Sequence, residues 1–195
     1  MSELIKIPMF PLSIFPLPGE MVPLHIFEPR YKQLLADAES KDISFGIFFN
    51  HVSNTEKIGS LVKLESVIKR HPQGESDIIV KCQDLFSMNK LYRTFRDKLY
   101  PGGEVNFWNI DVTNPVSRRL QDAFKEYLLY FQIRNSEATP SHFSIANEIS
   151  LDFDERLRFV KSNDDQKETF LLSHLKYQTQ LLYQAEKAKD LFHLN

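Results

Sequence analysis

PMFPLSIFPLPGEMVPLHIFEPRYKQLLADAESKDISFGIFFN, residues 8–50, sets two apolar runs around a Pro-Gly turn and ends the second at a charged Glu-Pro-Arg-Tyr corner. Pro16–Gly19 (PLPG) supplies the residues a chain reversal needs. Pro29 suits the first turn of a helix, where its missing N–H would have no intrahelical partner anyway. Tyr31, Leu34, Leu35 and Ala38 then fall at i, i+3, i+4 and i+7, a stripe that faces a core, with Lys32, Asp37 and Glu39 largely off it. The stretch reads as strand, turn, strand, helix and strand.

Working outward, short segments rich in β-branched and aromatic residues fill the first half: Leu4–Phe10, Met21–Phe27, Ser44–Phe49, Gly59–Lys69, Asp77–Cys82, Leu85–Phe95 and Glu104–Val112. Turn chemistry at 50–57 (NHVSNTEK), 70–77 (RHPQGESD) and 101–103 (PGG) separates several of them. Short strands at this spacing predict a closed or nearly closed antiparallel barrel, which limits exposed strand edges.

The pattern changes near Asn114. Asn114 and Pro115 are read as a helix start, with Val116, Leu120, Ala123, Phe124, Tyr127, Leu128 and Phe131 on one face and Asn135 and Pro140 marking its end. Two short helices are expected over Ser141–Ile149 and Asp152–Val160, the second opened by Asp152 and Glu155 at capping-box spacing. Asn163 and Gln166 cap a long last helix with a stripe through Phe170, His174, Tyr177, Leu181, Ala185 and Ala188, reaching about Leu191. The fold class is therefore α+β, with a β-rich region over 1–113 and a helical region over 114–195.

Sixteen phenylalanines against one tryptophan imply a core filled by Phe rings, and a net charge of −2 gives no general attraction to nucleic acid or an anionic membrane. Cys82 is the only cysteine, so no intrachain disulfide or cysteine zinc cluster can form. It sits in an apolar run and reads as a small buried hydrophobe. The first residues lack the basic and apolar regions of a signal peptide, and no run approaches a membrane span, so a cytoplasmic location is expected.

Catalytic motifs are missing at the level of spacing. The six glycines include no P-loop pair and no Gly-x-Ser-x-Gly elbow. His25, His51, His71, His142, His174 and His193 form no H-E-x-x-H and no helical metal pair, so neither a metal nor another cofactor is expected. His25 reads as structural or exposed, and His174 as a packed, hydrogen-bonded ring. Asp152, Asp154 and Glu155 complement a helix dipole without needing a catalytic role.

The opening stretch resembles the start of the Lon substrate-binding domain, the N-terminal domain of Lon-type ATP-dependent proteases. The family's phrases are matched here by Pro8–Leu12, Ile14–Leu17, Pro18–Gly19, Met21–Phe27 and Glu28–Tyr31, then by Phe45–Phe49 (FGIFF) and Ile58–Leu64 (IGSLVKL). The match weakens over Asp77–Phe95, where Gln83-Asp84-Leu85-Phe86 stands in place of a Gly-Arg-Phe-like phrase. The resemblance implies a PUA-like pseudo-barrel followed by a helical bundle. It also implies a stand-alone, non-catalytic domain, because 195 residues leave no room for the ATPase and Ser–Lys protease modules of a full Lon protease.

On that resemblance the expected partner is an unfolded or degron-bearing polypeptide, with a separate ATP-dependent protease supplying the motor and peptide cleavage. Phe15, Leu17, Met21 and Val22 surround the PLPG turn: burial in the core is the simpler reading for most of them, and they are the candidate contact residues where the turn leaves an apolar patch exposed. Glu28, Pro29, Arg30 and Tyr31 form a structural corner: Glu28 is expected to accept helix N-terminal amides while Arg30 reaches a carboxylate or carbonyl. The polar loops 50–57 and 70–76 are expected to tune selectivity. Lys90–Lys98 (KLYRTFRDK) interleaves cations with aromatics, the pattern of an RNA-binding segment; this is the alternative reading.

Overall fold

Strand β1 (Ile5–Leu12) opens the chain and β2 (Met21–Ile26) follows the PLPG turn. Helix α1 (Pro29–Lys41) leads into β3 (Phe45–Phe49), β4 (Ile58–Arg70), β5 (Ser76–Tyr92) and β6 (Gly102–Phe107). The computed structural model describes residues 4–133 and 139–192. They fall into two compact units, Met1–Asp111 and Val112–Asn195.

In the first unit the strands form one six-stranded sheet in the order β2-β5-β4-β3-β1-β6, and β6 also pairs with β5. Five strands therefore close into a ring, and β2 is attached outside it. The strand pairs are antiparallel except β1–β3, which runs parallel from Met9 opposite Gly46 to Leu12 opposite Phe49. The expected all-antiparallel barrel is corrected at this pair. Parallel neighbours need a long crossover, and β2 with α1 provides it.

The predicted strands Asp77–Cys82 and Leu85–Phe95 are one strand. Leu61 lies opposite Asp84 and Val62 opposite Cys82, so Gln83 is absorbed as a bulge. A bulge bends its strand and increases the twist. That bend lets the first half of β5 carry β2 and the second half carry β6. Ile7, Met9, Phe48, Phe86, Met88 and Val105 fill the interior. Gly59 admits the Phe86 ring, because a Cβ there would sit 2.4 Å from that ring and 2.7 Å from the Ile47 carbonyl oxygen.

Helix α1 buries Tyr31, Leu34, Leu35 and Ala38 as its period predicts, and buries Asp37 as well. Asp37 was expected off the stripe, yet it lies three residues after Leu34 and so flanks the same face. Its carboxylate accepts hydrogen bonds from Lys41 Nζ at 2.7 Å and the Tyr100 hydroxyl at 2.7 Å, and Lys98 Nζ lies 2.9 Å away. The bonds from Lys41 and Lys98 hold the Asp37 carboxyl far below the usual carboxylate range. Burial, with the adjacent carboxylate, pushes the Tyr100 hydroxyl up. This cluster ties α1 to the segment between β5 and β6.

The second unit holds α2 (Arg118–Tyr130), α3 (His142–Glu148), α4 (Phe153–Lys161) and α5 (Asp164–Phe192). Helix α2 starts later than the Asn114–Pro115 signal suggested. The Ser117 hydroxyl accepts the Leu120 N–H and also donates to Glu168, while Pro115 forms a β-bridge with Ser141. Asn135, expected to end this helix, lies outside the described residues. The Asp152–Glu155 and Asn163–Gln166 pairs cap α4 and α5 reciprocally, at 2.8–3.1 Å. On α5 the expected stripe is displaced by one residue. Leu171 and Leu175 are buried, whereas Tyr177 and Leu181 are exposed. The side chain of Ala188, also assigned to that stripe, is outside the described set.

Two substitutions test this architecture. Gly59→Ala forces the Phe86 ring or β3 to shift and is expected to cost about 1–3 kcal/mol in urea unfolding. Asp37→Ala leaves the buried Tyr100 hydroxyl without its acceptor and is expected to cost about 2 kcal/mol. Because the folded-state pKa of Asp37 is depressed, its contribution is present above the unfolded value near 3.9 and is lost as pH falls below it. The stability difference between wild type and Asp37→Ala should shrink below that pH.

Candidate functional site

Strand β2 pairs with β5 along one edge, and among the described residues no strand covers its other edge. Met21, Pro23 and His25 point outward, while Val22 and Leu24 are half-buried and Ile26 is buried. Phe27, just past the strand, returns to the outward side. Met21 is 59% and Phe27 57% exposed. Pro23 is tolerated because an edge strand does not need every N–H. Across the ladder Lys81 lies opposite Met21, Ile79 opposite Pro23 and Asp77 opposite His25. Ile68, skipped as a bulge residue on β4, is also exposed.

The PLPG turn beside this strand is pinned rather than open. The Gly19 N–H donates to the Cys82 carbonyl at 2.8 Å, and the Cys82 N–H returns a bond to the Glu20 carbonyl at 2.9 Å. Ser60 Oγ donates to the Pro16 carbonyl at 2.6 Å, and the Leu17 N–H to Glu20 Oε2 at 2.8 Å. Gly19 takes φ 85°, which its lack of a side chain allows. Phe15 and Leu17, at 4% and 0% exposure, are core residues. The simpler reading, burial, holds for these two, and they are no part of an exposed patch: the anchored turn folds both inward. Met21 and the half-buried Val22 remain at the surface.

At the Glu28–Tyr31 corner, Arg30 reaches a carboxylate as expected, that of Glu28. Nε donates to Glu28 Oε2 at 2.9 Å, and Nη2 lies 2.8 Å away. The Glu28 side chain caps no helix amide, which corrects the expected role; its backbone carbonyl accepts from Tyr31 and Lys32 instead. Pro29 is the first residue of α1. Tyr31 is buried against Phe10, with the Arg30 guanidinium over its ring at 4.7 Å.

One cluster was not visible from spacing. Asp77 accepts a hydrogen bond from His25 Nδ1 at 2.6 Å through one oxygen and from His71 Nε2 at 2.7 Å through the other. Glu75 Oε2 lies 3.4 Å from His25 Nε2. These groups come from β2, the β4–β5 turn and β5. The turn is closed by the His71 N–H to the Glu75 carbonyl and the Gly74 N–H to the His71 carbonyl. The hydrogen bond to Asp77 raises the pKa of His25. The two imidazoles likewise hold Asp77 below its ordinary range. The outward phase of His25 on β2 was readable in the sequence; the β2–β5 register that meets it with Asp77 was not.

Elsewhere, Cys82 is buried, and that burial pushes its thiol pKa up. His174 stacks on Phe170 and pairs with Glu155 at 3.2 Å, a packed ring as expected. In the loop 50–57, Asn54 is buried and bonded to Phe49 and Ile58. In the basic–aromatic segment, Lys98 is committed to Asp37, Lys90 lies over Tyr92, and Phe95 packs on Tyr100. In the second unit an open groove of about 610 Å³ runs between α2 and α5, with Arg119, Glu126, Tyr130, Lys176 and Tyr183 along it. No helix among the described residues is long and apolar enough to cross a membrane.

The model of the ATP-dependent protease La (LON) substrate-binding domain matches residues 6–187. This chain belongs to the Lon substrate-binding domain family. The fold is similar to that of a Lon N-terminal domain protein from Xanthomonas campestris, with a TM-score of 0.66 and 20% identity over 87% of this chain and 98% of that one. It is also similar to the N-terminal domain of the Mycobacterium avium complex Lon protease, at 0.60 and 14%, over 88% and 98%. No curated protein sequence matches the chain. The family match is to the substrate-binding domain, and substrate recognition is the role that the family name carries.

Titration supplies the test of the cluster in this Lon-family domain. By histidine-resolved NMR, His25 should titrate above 6.5, and Asp77→Asn should bring it back toward that value. A raised histidine pKa stabilises the fold below the unfolded value. That contribution is lost as pH rises through the folded one.

Proposed function

We propose that the chain is a non-catalytic module that captures unfolded or degron-bearing polypeptide along the outer side of β2. The observation that carries this reading is the edge of β2, which no strand covers among the described residues, beside an outward apolar row, Met21, Pro23 and Phe27, with Ile79 on the next strand. An extended peptide adding to a sheet edge gains main-chain hydrogen bonds that do not depend on its sequence. Met21 is flexible and polarizable and adapts to varied side chains. Val22 supports the row from the half-buried side. Phe15 and Leu17 act indirectly, by packing the turn that sets where β2 begins.

In this reading the closed ring with its added sixth strand is a PUA-like pseudo-barrel, and the four helices of the second unit form a bundle that serves as a brace or second contact surface. A separate ATP-dependent protease in the cytoplasm supplies ATP hydrolysis and cleavage, which places the chain in protein quality control. Membrane contact forms no part of this role, and the intramolecular pairing of Lys90, Phe95 and Lys98 argues against RNA.

Fluorescence anisotropy with a labelled unfolded polypeptide tests the proposal. Its folded form and a single-stranded RNA serve as controls. The unfolded chain should bind preferentially and without ATP. The double substitution Met21→Asp with Phe27→Asp should weaken binding roughly tenfold or more while leaving the circular dichroism unchanged. Wild-type affinity in that variant would move the site off β2. RNA binding that falls steeply with salt and with Arg93→Ala would favour the nucleic-acid reading instead.

A further inference from the structure

We propose that His25, His71 and Asp77 form a binding site for a divalent transition-metal ion, best suited to zinc. One ligand atom from each residue lies within 4.8 Å of the others. The three donors come from separate segments: an edge strand, a tight turn and the start of β5. The fold, rather than local sequence, therefore brings them together. Two imidazole nitrogens and a carboxylate oxygen are a donor set that zinc, nickel and cobalt accept, whereas calcium and magnesium favour oxygen alone.

The arrangement around the donors fits a metal more specifically than a surface ion pair requires. Glu75 Oε2 faces Nε2 of His25 at 3.4 Å, on the side of the ring away from Asp77. Metal-binding histidines usually donate their second ring N–H to a carboxylate, which fixes the tautomer and makes the other nitrogen a better donor. Glu75 stands where it can take that role and leave Nδ1 for the ion. Phe27 stacks on the same ring with centroids 5.9 Å apart. The turn that carries His71 and Glu75 is held by two backbone hydrogen bonds and by Lys32 Nζ, which donates to the Gln73 carbonyl at 3.2 Å.

Without metal, Asp77 sits between the two rings and accepts a proton-bearing nitrogen from each, at 2.6 and 2.7 Å. A tetrahedral ion with bonds of about 2.0–2.1 Å would set those nitrogens and the carboxylate oxygen about 3.3 Å apart. Because the two rings now bond separate oxygens of Asp77, ring and carboxylate rotations must bring the donor atoms, already within 4.8 Å of one another, to that separation, and the His25 ring is about half exposed. On a neutral ring the proton displaced from the ligating nitrogen moves to the other ring nitrogen, and on an imidazolium one proton is released. Binding therefore releases protons only where the rings are charged, and it weakens as pH falls. Other charged groups on the elements around the site are Glu75 on the turn, Lys32 on α1, which bonds the same turn, the Glu39–Arg70 pair, and Lys69 opposite Asp77 on β4. Three protein donors leave a fourth position for water or for a donor from a bound molecule.

The test uses the intact chain, stripped with a chelator and titrated with zinc chloride by calorimetry in two buffers of different ionisation enthalpy. Cobalt(II) absorption reports the geometry. One equivalent should bind, with more proton release at about pH 6 than at about pH 8, and cobalt should give intense visible bands of a four-coordinate site. His71→Gln and Asp77→Asn should abolish that binding, and Glu75→Gln should weaken it roughly tenfold. His51→Ala, whose ring bonds Ser53, should leave it unchanged. Thermal unfolding without metal shows whether each variant is folded, and His71→Ala provides a second variant at the turn. No stoichiometric zinc binding by the wild type would overturn the proposal. So would undiminished binding in folded His71→Gln and His71→Ala. Neither result bears on polypeptide capture, which is read in chelated buffer.

Discussion

The pairing of β5 with three neighbours is the constraint on which the first unit depends. A straight strand of seventeen residues would extend past any one sheet of this size. Strand β5 bends at Gln83, so β4 follows it from Ser76 to Ser87 while β2 takes its first half and β6 its second. The interior then needs large side chains at the bend and almost none opposite. Phe86 fills the space that Gly46 and Gly59 vacate, and Met9 occupies the room beside Gly103. Bulge, ring closure and glycine placement are one solution to a single packing problem.

Ring closure also explains where charge is buried. The link from β5 to β6 leaves at Tyr92 and returns at Gly102, which lie opposite one another in the ladder, and Tyr100 enters the core on the way. Its hydroxyl would be costly to bury alone. Asp37 on α1 accepts its hydrogen bond, and Lys41 and Lys98 compensate the carboxylate. The helix is thereby held to the ring by a polar cluster as well as by its apolar stripe. The cluster is strong because each member satisfies another, not because any one ion pair is worth much.

The readable parts of the sequence were those governed by local chemistry. Pro29, the i, i+3, i+4 stripe of α1, and the Asp152–Glu155 and Asn163–Gln166 caps all act within a turn of helix, and the structure places them as their spacing suggests. What escaped depends on partners far along the chain. Gln83 looks like a break until β4 is laid beside it. Asp37 looks solvated until Tyr100 and Lys98 arrive. Leu17 looks exposable until Ser60 and Cys82 pin its turn. The shift of the α5 stripe has the same origin, since several apolar residues compete there and packing chooses Leu171 and Leu175. The family resemblance rested on the opening segment, where local and long-range signals agree.

The remaining strand, β2, is the one that closure leaves over. A free edge is a hazard in any sheet, because it offers unpaired backbone to other chains. Here the hazard is managed without being removed. Pro23 deletes one donor, and His25, Asp77 and Lys81 put polar groups beside the exposed apolar residues. Indiscriminate pairing with a flat edge is thus discouraged, while the apolar positions at Met21 and Phe27 stay available. A strand that needed only stability would have hidden those side chains or replaced them with charge. Keeping them outward, on an edge partly defended by a proline and a histidine–carboxylate cluster, is the feature on which the proposed capture of polypeptide rests.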